Sequence, residues 1–363
     1  MSALTTCGPV GRQVLCTLAV IPLIGLLPTN LARSLAAQIP WLDLSRPPAI
    51  DAEPDDRFGC EDNPTGDPIG GGAGYRDIHR TGDIIANTAD ELVAALASAQ
   101  AGQVVFVPGG LELDLTDRGA LTIPGGVTLA GDRGADGSEG ALIIARGERQ
   151  RLLSTGGEDV RVTGLRFEGA YGGAERVATQ SRFMSIGHTG GRVDNCEIYN
   201  FNLAGIGVSG TALRVVIDHN SIHHIQLGGL GYPISTSSSD LRVIANRFDY
   251  GRHHIASSGV PGSGYEAAWN QIGPNATSHH FDMHGGRDRG DNTTIAGDWM
   301  HVHHNTFEGA RPHVAIRGIP SQGAWIHNNW FSGPAEEKVR SDGNTWVYQN
   351  VYGPDRILEE GTR

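Results

Sequence analysis

The stretch "IDHNSI" (Ile217–Ile222) decides how the chain is read, because its pattern returns along the C-terminal half. An apolar residue, two variable ones, an Asn, another variable one and a second apolar residue recur. They appear as "VIANRF" (243–248), "AAWNQI" (267–272), "VHHNTF" (302–307), "IHNNWF" (326–331) and "VYQNVY" (347–352), and as "VDNCEI" (193–198) with Cys in the Asn place. The aligned positions Leu165, Cys196, Asn220, Asn246, Asn270, Asn305, Asn329 and Asn350 are separated by 31, 24, 26, 24, 35, 24 and 21 residues. A period near 24 is too short for a helical hairpin and has no helix periodicity, but it fits three short strands with turns. That is one rung of a right-handed parallel β-helix. Stacked rungs place equivalent residues ~4.8 Å apart, so the asparagines are expected to form an internal ladder.

Composition agrees with an all-β solenoid. The 363 residues include 52 glycines and only 6% aromatics, which favours short strands and tight turns. A net charge of −12 argues against a nucleic-acid binder, which needs a basic face. Residues 1–36 read as a signal peptide: Arg12 precedes the apolar run Val14–Leu27, which is short of the ~20 residues a span needs. A membrane anchor is the competing reading; a secreted, monomeric protein without stable membrane insertion is the expectation. Residues 37–66 are an acidic, Pro-rich linker, 67–354 the β-helix domain and 355–363 a tail. Signal removal takes Cys7 and Cys16 and leaves Cys60 and Cys196, too few for a disulfide framework. Thr88 and Glu91 form a capping box for a helix over Thr88–Gln100, expected to close the N-terminal end of the solenoid.

A second alignment falls on another side of each rung. "HIASSG" (254–259), "HFDMHG" (280–285), "HVAIRG" (313–318) and "KVRSDG" (338–343) share alternation and a closing glycine, with "GIGVSG" (205–210) and "GYPIST" (231–236) fitted to the same frame. Alternation puts Ile255, Phe281 and Val314 inward and His254, His280, His313 and Lys338 outward. A second outward column contains Ala256, Asp282, Ala315 and Arg340, and a third Ser258, His284, Arg317 and Asp342. One outer face therefore runs from small residues into imidazoles, carboxylates and cations. Beside it lies a loop of roughly nine extra residues, "GRDRGDNTTIAGDW" (286–299), with Arg287 and Arg289; long solenoid loops mark a binding side.

Aligned outward histidines beside such a loop make a candidate site: Asp282 and His284, with His280, His313 and Arg317. Zinc ligation by alternate histidines is conceivable, though the spacing matches no specific ligand set. Arg252 and Arg311 occupy matching places before His254 and His313 and suit carboxylate recognition. His301, His303 and His304 read as rung-turn or surface residues rather than ligands.

On "GGGAGY", "VVFVPGGLELDL", "VVIDHNSI" and "RPHVAIRG" through "WIHNNWF", the chain over roughly residues 68–353 resembles the pectate lyase-like right-handed β-helix proteins. The resemblance implies a polysaccharide lyase acting on an acidic polysaccharide, with calcium bridging a sugar carboxylate to protein aspartates. It carries Arg317 over as the proton-abstracting base and Arg311 as its companion. The acidic segment that follows the family's "WIDH" rung is missing, and Asp218 is the one clear acid there. "FDMH" is also similar to the "DPH" signature of mannuronan epimerases, which maps Asp282 and His284 onto its acid and histidine. β-Elimination is thus the leading expectation, with Arg317 or His284 as base, Asp282 orienting, and Arg252, His254, Arg287, Arg289, Arg311, Lys338 and Arg340 around the substrate. Epimerisation, hydrolysis and non-catalytic glycan binding on the same face stay open.

Overall fold

The computed structural model describes residues 56–147, 151–177, 180–334, 337–359 and 361. The signal-peptide reading, with Cys7 and Cys16, lies outside them. Among the described residues no helix is long and apolar enough to cross a membrane.

The chain winds as a right-handed parallel β-helix of three sheets. Among the described residues the first sheet has eleven strands, from Ile84–Ile85 to Thr345–Tyr348. The second has ten parallel strands, from Glu112–Asp114 to Asn350–Tyr352, and Ile357–Glu359 as an antiparallel eleventh. The third has nine, from Leu121–Ile123 to Val339–Ser341. Every other neighbouring pair is parallel and in register, as in Val193↔Ile217↔Val243↔Ala267↔Val302↔Ile326↔Val347. These inward residues join Phe167, Phe183, Phe248, Phe281, Phe307 and Phe331 in one continuous core.

The first and second sheets meet at a tight corner with one left-handed residue in each rung. Asn195, His219, Ala245, Trp269, His304, Asn328 and Gln349 all take φ between 48° and 54° there. Left-handed backbone costs a non-glycine residue about 1–2 kcal/mol. The next residue in each rung offsets that cost. Asn220 Nδ2 donates to Asn246 Oδ1 at 3.0 Å, and the series continues through Asn270, Asn305, Asn329 and Asn350 at 2.9–3.1 Å. Each amide also donates to a backbone carbonyl, as Asn246 does to Ile217 at 2.8 Å.

A helix, Ala89–Ser98, packs Leu92, Ala95 and Leu96 into the core beside the first rungs. Thr88 caps it by accepting from Glu91 N, and the Glu91 carboxylate reaches back to Asn87 N at 2.7 Å.

Two expected loose segments are packed. Residues 56–66 were expected within a linker, yet they begin a strap that runs along the corner against the direction of stacking. Gly59 N donates to Asn328 O, Cys60 N to Thr306 Oγ1, Gly70 N to Ala245 O and Gly72 N to Asn195 Oδ1, all at 2.7–3.0 Å. Tyr75 then seals an ionic network through its hydroxyl, 2.8 Å from Asp194 Oδ2. The expected tail supplies the antiparallel strand Ile357–Glu359. Cys60 and Cys196 are buried free thiols, pushed by burial up to about 11 and about 12.

Candidate active site

The third sheet carries a groove of about 450 Å³ on its outer face. Small residues make its floor, in the column Ser185, Gly207, Ser235 and Ala256, and the next position in this column is Asp282. The pairing corrects one expected register: Ser235, not Pro233, stands beside Gly207, and Ser237 beside Ser258, their hydroxyls 2.8 Å apart. Arg182 and Tyr232 line the groove with these residues, and His284 lines its other end.

Asp282 is fully buried and anchors that end. Arg317 grips it with two bonds, Nε to Oδ1 at 3.0 Å and Nη2 to Oδ2 at 2.7 Å, and donates through Nη1 to Asp288 Oδ1 at 3.0 Å. His284 Nε2 lies 2.8 Å from Oδ2, and His279 Nε2 3.1 Å from Oδ1. Burial alone would push the Asp282 carboxyl up; the hydrogen bonds and charge of His279 and His284 outweigh it and hold the group well below the usual carboxylate range. His253 stacks on His279 with ring centres 3.9 Å apart and donates Nδ1–H to His279 O at 2.8 Å, which fixes its tautomer. Its bare Nε2 is 3.9 Å from Asp282 Oδ2, and burial, with the charge of His279, lowers its pKa to about 3.

His254, His280 and His313, expected outward, are inside. His254 N and Ile255 N both turn to His280 O, at 2.7 and 3.3 Å, so two successive residues face inward and outward alternation starts one residue later. The three rings stack in the core at 5.2–5.3 Å, between Phe248 and Phe331. Burial lowers His254 to about 3, His313 to about 2 and His280 far below its ordinary value, so all three are neutral packing groups rather than acids or bases.

The expected substrate-binding cations divide. Arg252 borders the groove, its guanidinium 5.8 Å from the Tyr232 ring centre and Nη1 3.3 Å from the Tyr232 hydroxyl. Arg287 and Arg311 are exposed. Arg289 is committed to the protein: it donates to the carbonyls of Gly259, His284 and Ile295 and pairs with Asp291, pinning the long loop down. Arg340 pairs with Glu337, and Lys338 Nζ donates to Gly333 O at 3.2 Å.

Arg182, Tyr232, His253 and His279 were missed. The last two had a signal, since "HH" doublets at 253–254 and 279–280 are one rung apart. Each doublet straddles the corner between the second and third sheets, one ring out and one ring in.

The calcium expected from the family resemblance does not fit this site. Calcium takes six to eight oxygen ligands. Among the described residues, Asp282 is surrounded by imidazoles and a guanidinium, and Asp288 is held by the same Arg317. His253, His279 and Asp282 do offer three ligand atoms within 4.8 Å of one another, but a cation there would displace Arg317 Nε from Oδ1.

No family model and no curated protein matches the chain. Among solved structures it is similar to an alginate lyase from Paenibacillus sp. str. FPU-7, at 15% identity and TM-score 0.42, over 72% of this chain and 98% of that one. It is also similar to pectate lyase II from Xanthomonas campestris pv. campestris str. ATCC 33913, at 14% identity and TM-score 0.39, over 82% and 84%.

Proposed function

We propose that the groove binds an acidic polysaccharide and that His284 starts a β-elimination at its closed end. One observation carries this reading: His284 lines the groove while its Nε2 rests 2.8 Å from an ionised, fully buried carboxylate. A carboxylate behind an imidazole orients it and stabilises the imidazolium that forms on proton transfer. With Nε2–H directed to Asp282, Nδ1 keeps the lone pair that takes the proton next to a uronate carboxyl. The electron pair then expels the glycosidic oxygen at the neighbouring carbon.

Arg317 suits a different task from the base that the resemblance implied. Its Nε, Nη1 and Nη2 all donate to carboxylates, which leaves no nitrogen to accept a proton. Guanidinium has five N–H donors, so two are left over to hold the substrate carboxylate whose charge grows during elimination. Arg182 stands four rungs from Asp282, ~19 Å at ~4.8 Å per rung, and would hold the carboxylate of a more distant sugar. Export, read from the apolar run at residues 14–27, completes the proposal.

The test is to incubate the purified protein with a panel of uronate polysaccharides, with calcium or chelator, and to follow the ultraviolet absorbance of unsaturated product ends. A rise is expected that persists in chelator and falls by about 10²–10⁴-fold in His284→Ala. New reducing ends without absorbance would make the protein a hydrolase. Neither signal, with binding retained, would replace elimination by epimerisation or glycan binding.

A further inference from the structure

The outer face of the first sheet holds a second cluster, which the groove does not use. Glu266 pairs with His301 across adjacent rungs, and His303 with His327, so two neighbouring columns bring four ligand-type side chains onto one patch. Glu266, His301 and His303 are 3%, 3% and 6% exposed, and one ligand atom from each lies within 4.8 Å of the others.

Hydrogen bonding decides which nitrogens keep a lone pair. Asn328 spends its amide N–H on Arg57 O, so its Oδ1 accepts from His327 Nδ1 at 2.8 Å. His327 Nε2 is then a bare lone pair, and it faces His301 Nε2 at 2.7 Å. His301 must donate there. That leaves His301 Nδ1 as a lone pair that is buried and has no hydrogen bond. Arg242 Nε takes Oε2 of Glu266, while Oε1 lies 3.0 Å from His303 Nε2.

We propose that Glu266 Oε1, His301 Nδ1 and His303 Nε2 bind one divalent cation of the zinc class. Two imidazoles and one carboxylate are a zinc donor set, and ligands at about 2.0–2.1 Å from a tetrahedral ion lie about 3.3 Å apart. Opening the 3.0 Å gap between Glu266 and His303 to that value needs a shift of a few tenths of an ångström. His303 would change from its Nε2–H to its Nδ1–H tautomer, and His304, whose Nδ1 donates to His303 Nδ1 at 2.8 Å now, would change with it so that its Nδ1 accepts. Arg242 on Glu266 and His327 behind His301 supply the outer contacts that orient metal ligands. The three ligands tie two successive rungs together, and His327 braces them from a third. It lies on a different sheet from the groove and does not depend on the lyase reading.

The experiment strips the full-length protein with chelator, adds zinc chloride, removes unbound metal and measures zinc per chain by mass spectrometry. Cobalt(II) is then substituted and its visible spectrum recorded. Expected are one zinc per chain, a tetrahedral cobalt spectrum, loss of both in His301→Ala, and retention in His279→Ala. Since Glu266→Gln breaks the pair with Arg242 and can unfold these rungs, His327→Ala is the companion variant, with zinc bound about 10–100-fold more weakly. Absence of stoichiometric zinc in wild-type protein with an intact circular dichroism spectrum overturns the proposal. So does uptake that survives His301→Ala or disappears in His279→Ala.

Discussion

Adjacent histidines at the corner between the second and third sheets meet opposite fates. His254, His280 and His313 stack in the core between phenylalanines, while His253, His279 and His284 gather round one ionised carboxylate at the groove. The side chain is identical, so the difference comes entirely from surroundings. Inside there is no acid to stabilise an imidazolium, and desolvation keeps the rings neutral. Outside, His253 is held as low as His254, but His279 and His284 touch Asp282, which can stabilise a charge that appears during a reaction. Histidine content alone therefore says little about chemistry in this fold; contact with Asp282 decides.

The strongest way to break this contrast is Asp282→Asn, which keeps the shape and removes the charge. The lyase rate on folded protein is expected to fall by about 10³-fold or more in the ultraviolet assay. A rate within tenfold of wild type would place the chemistry elsewhere. His280→Ala should do the reverse. Emptying the middle of the stack is expected to lower stability by about 2–4 kcal/mol in urea unfolding, with the rate per folded molecule unchanged. A folded but inactive His280→Ala would erase the distinction between the inner and outer histidines.

A smaller effect sharpens it through pH. His254 and His313 titrate near 3 and 2 in the fold against 6.5 in the unfolded chain, so between these values the unfolded chain binds protons that the fold excludes. The stability these rings contribute is complete above 6.5 and falls with pH below it, at roughly 1.4 kcal/mol per pH unit for each ring. His313→Leu should make the measured slope shallower by one such step. An unchanged slope would mean that the ring is already charged.

The repeat was the most legible feature, because an Asn every 24 or so residues answers to one backbone requirement: a left-handed corner whose cost an amide ladder offsets. Asp282, His284 and Arg317 were legible for a similar reason, since regular alternation holds once the strand has begun. What failed was the residue just before each strand. At His254 and His280 the chain turns a corner, two neighbours point the same way, and period-two reasoning assigns the wrong one outward. The strap was hidden for another reason. Its prolines and acids read as linker, and nothing in its local pattern says that glycines at 59, 70 and 72 dock on rungs from Asn328 back to Asn195.

That strap sets the order in which the molecule can be completed. A solenoid whose repeats touch only their neighbours can assemble progressively, each new coil resting on the one before. Here the segment that leaves the ribosome early must wait for coils made more than 200 residues later, because Cys60 bonds Thr306 and Asn328 bonds Arg57. Tyr75 and Gly72 can close over Asp194 and Asn195 once those coils exist, but Gly59 and Cys60 stay undocked until the late coils are made. The far end of the seam thus fastens last, and a chain halted before residue 300 would keep the contacts of Gly70, Gly72 and Tyr75 but lack those of Gly59 and Cys60.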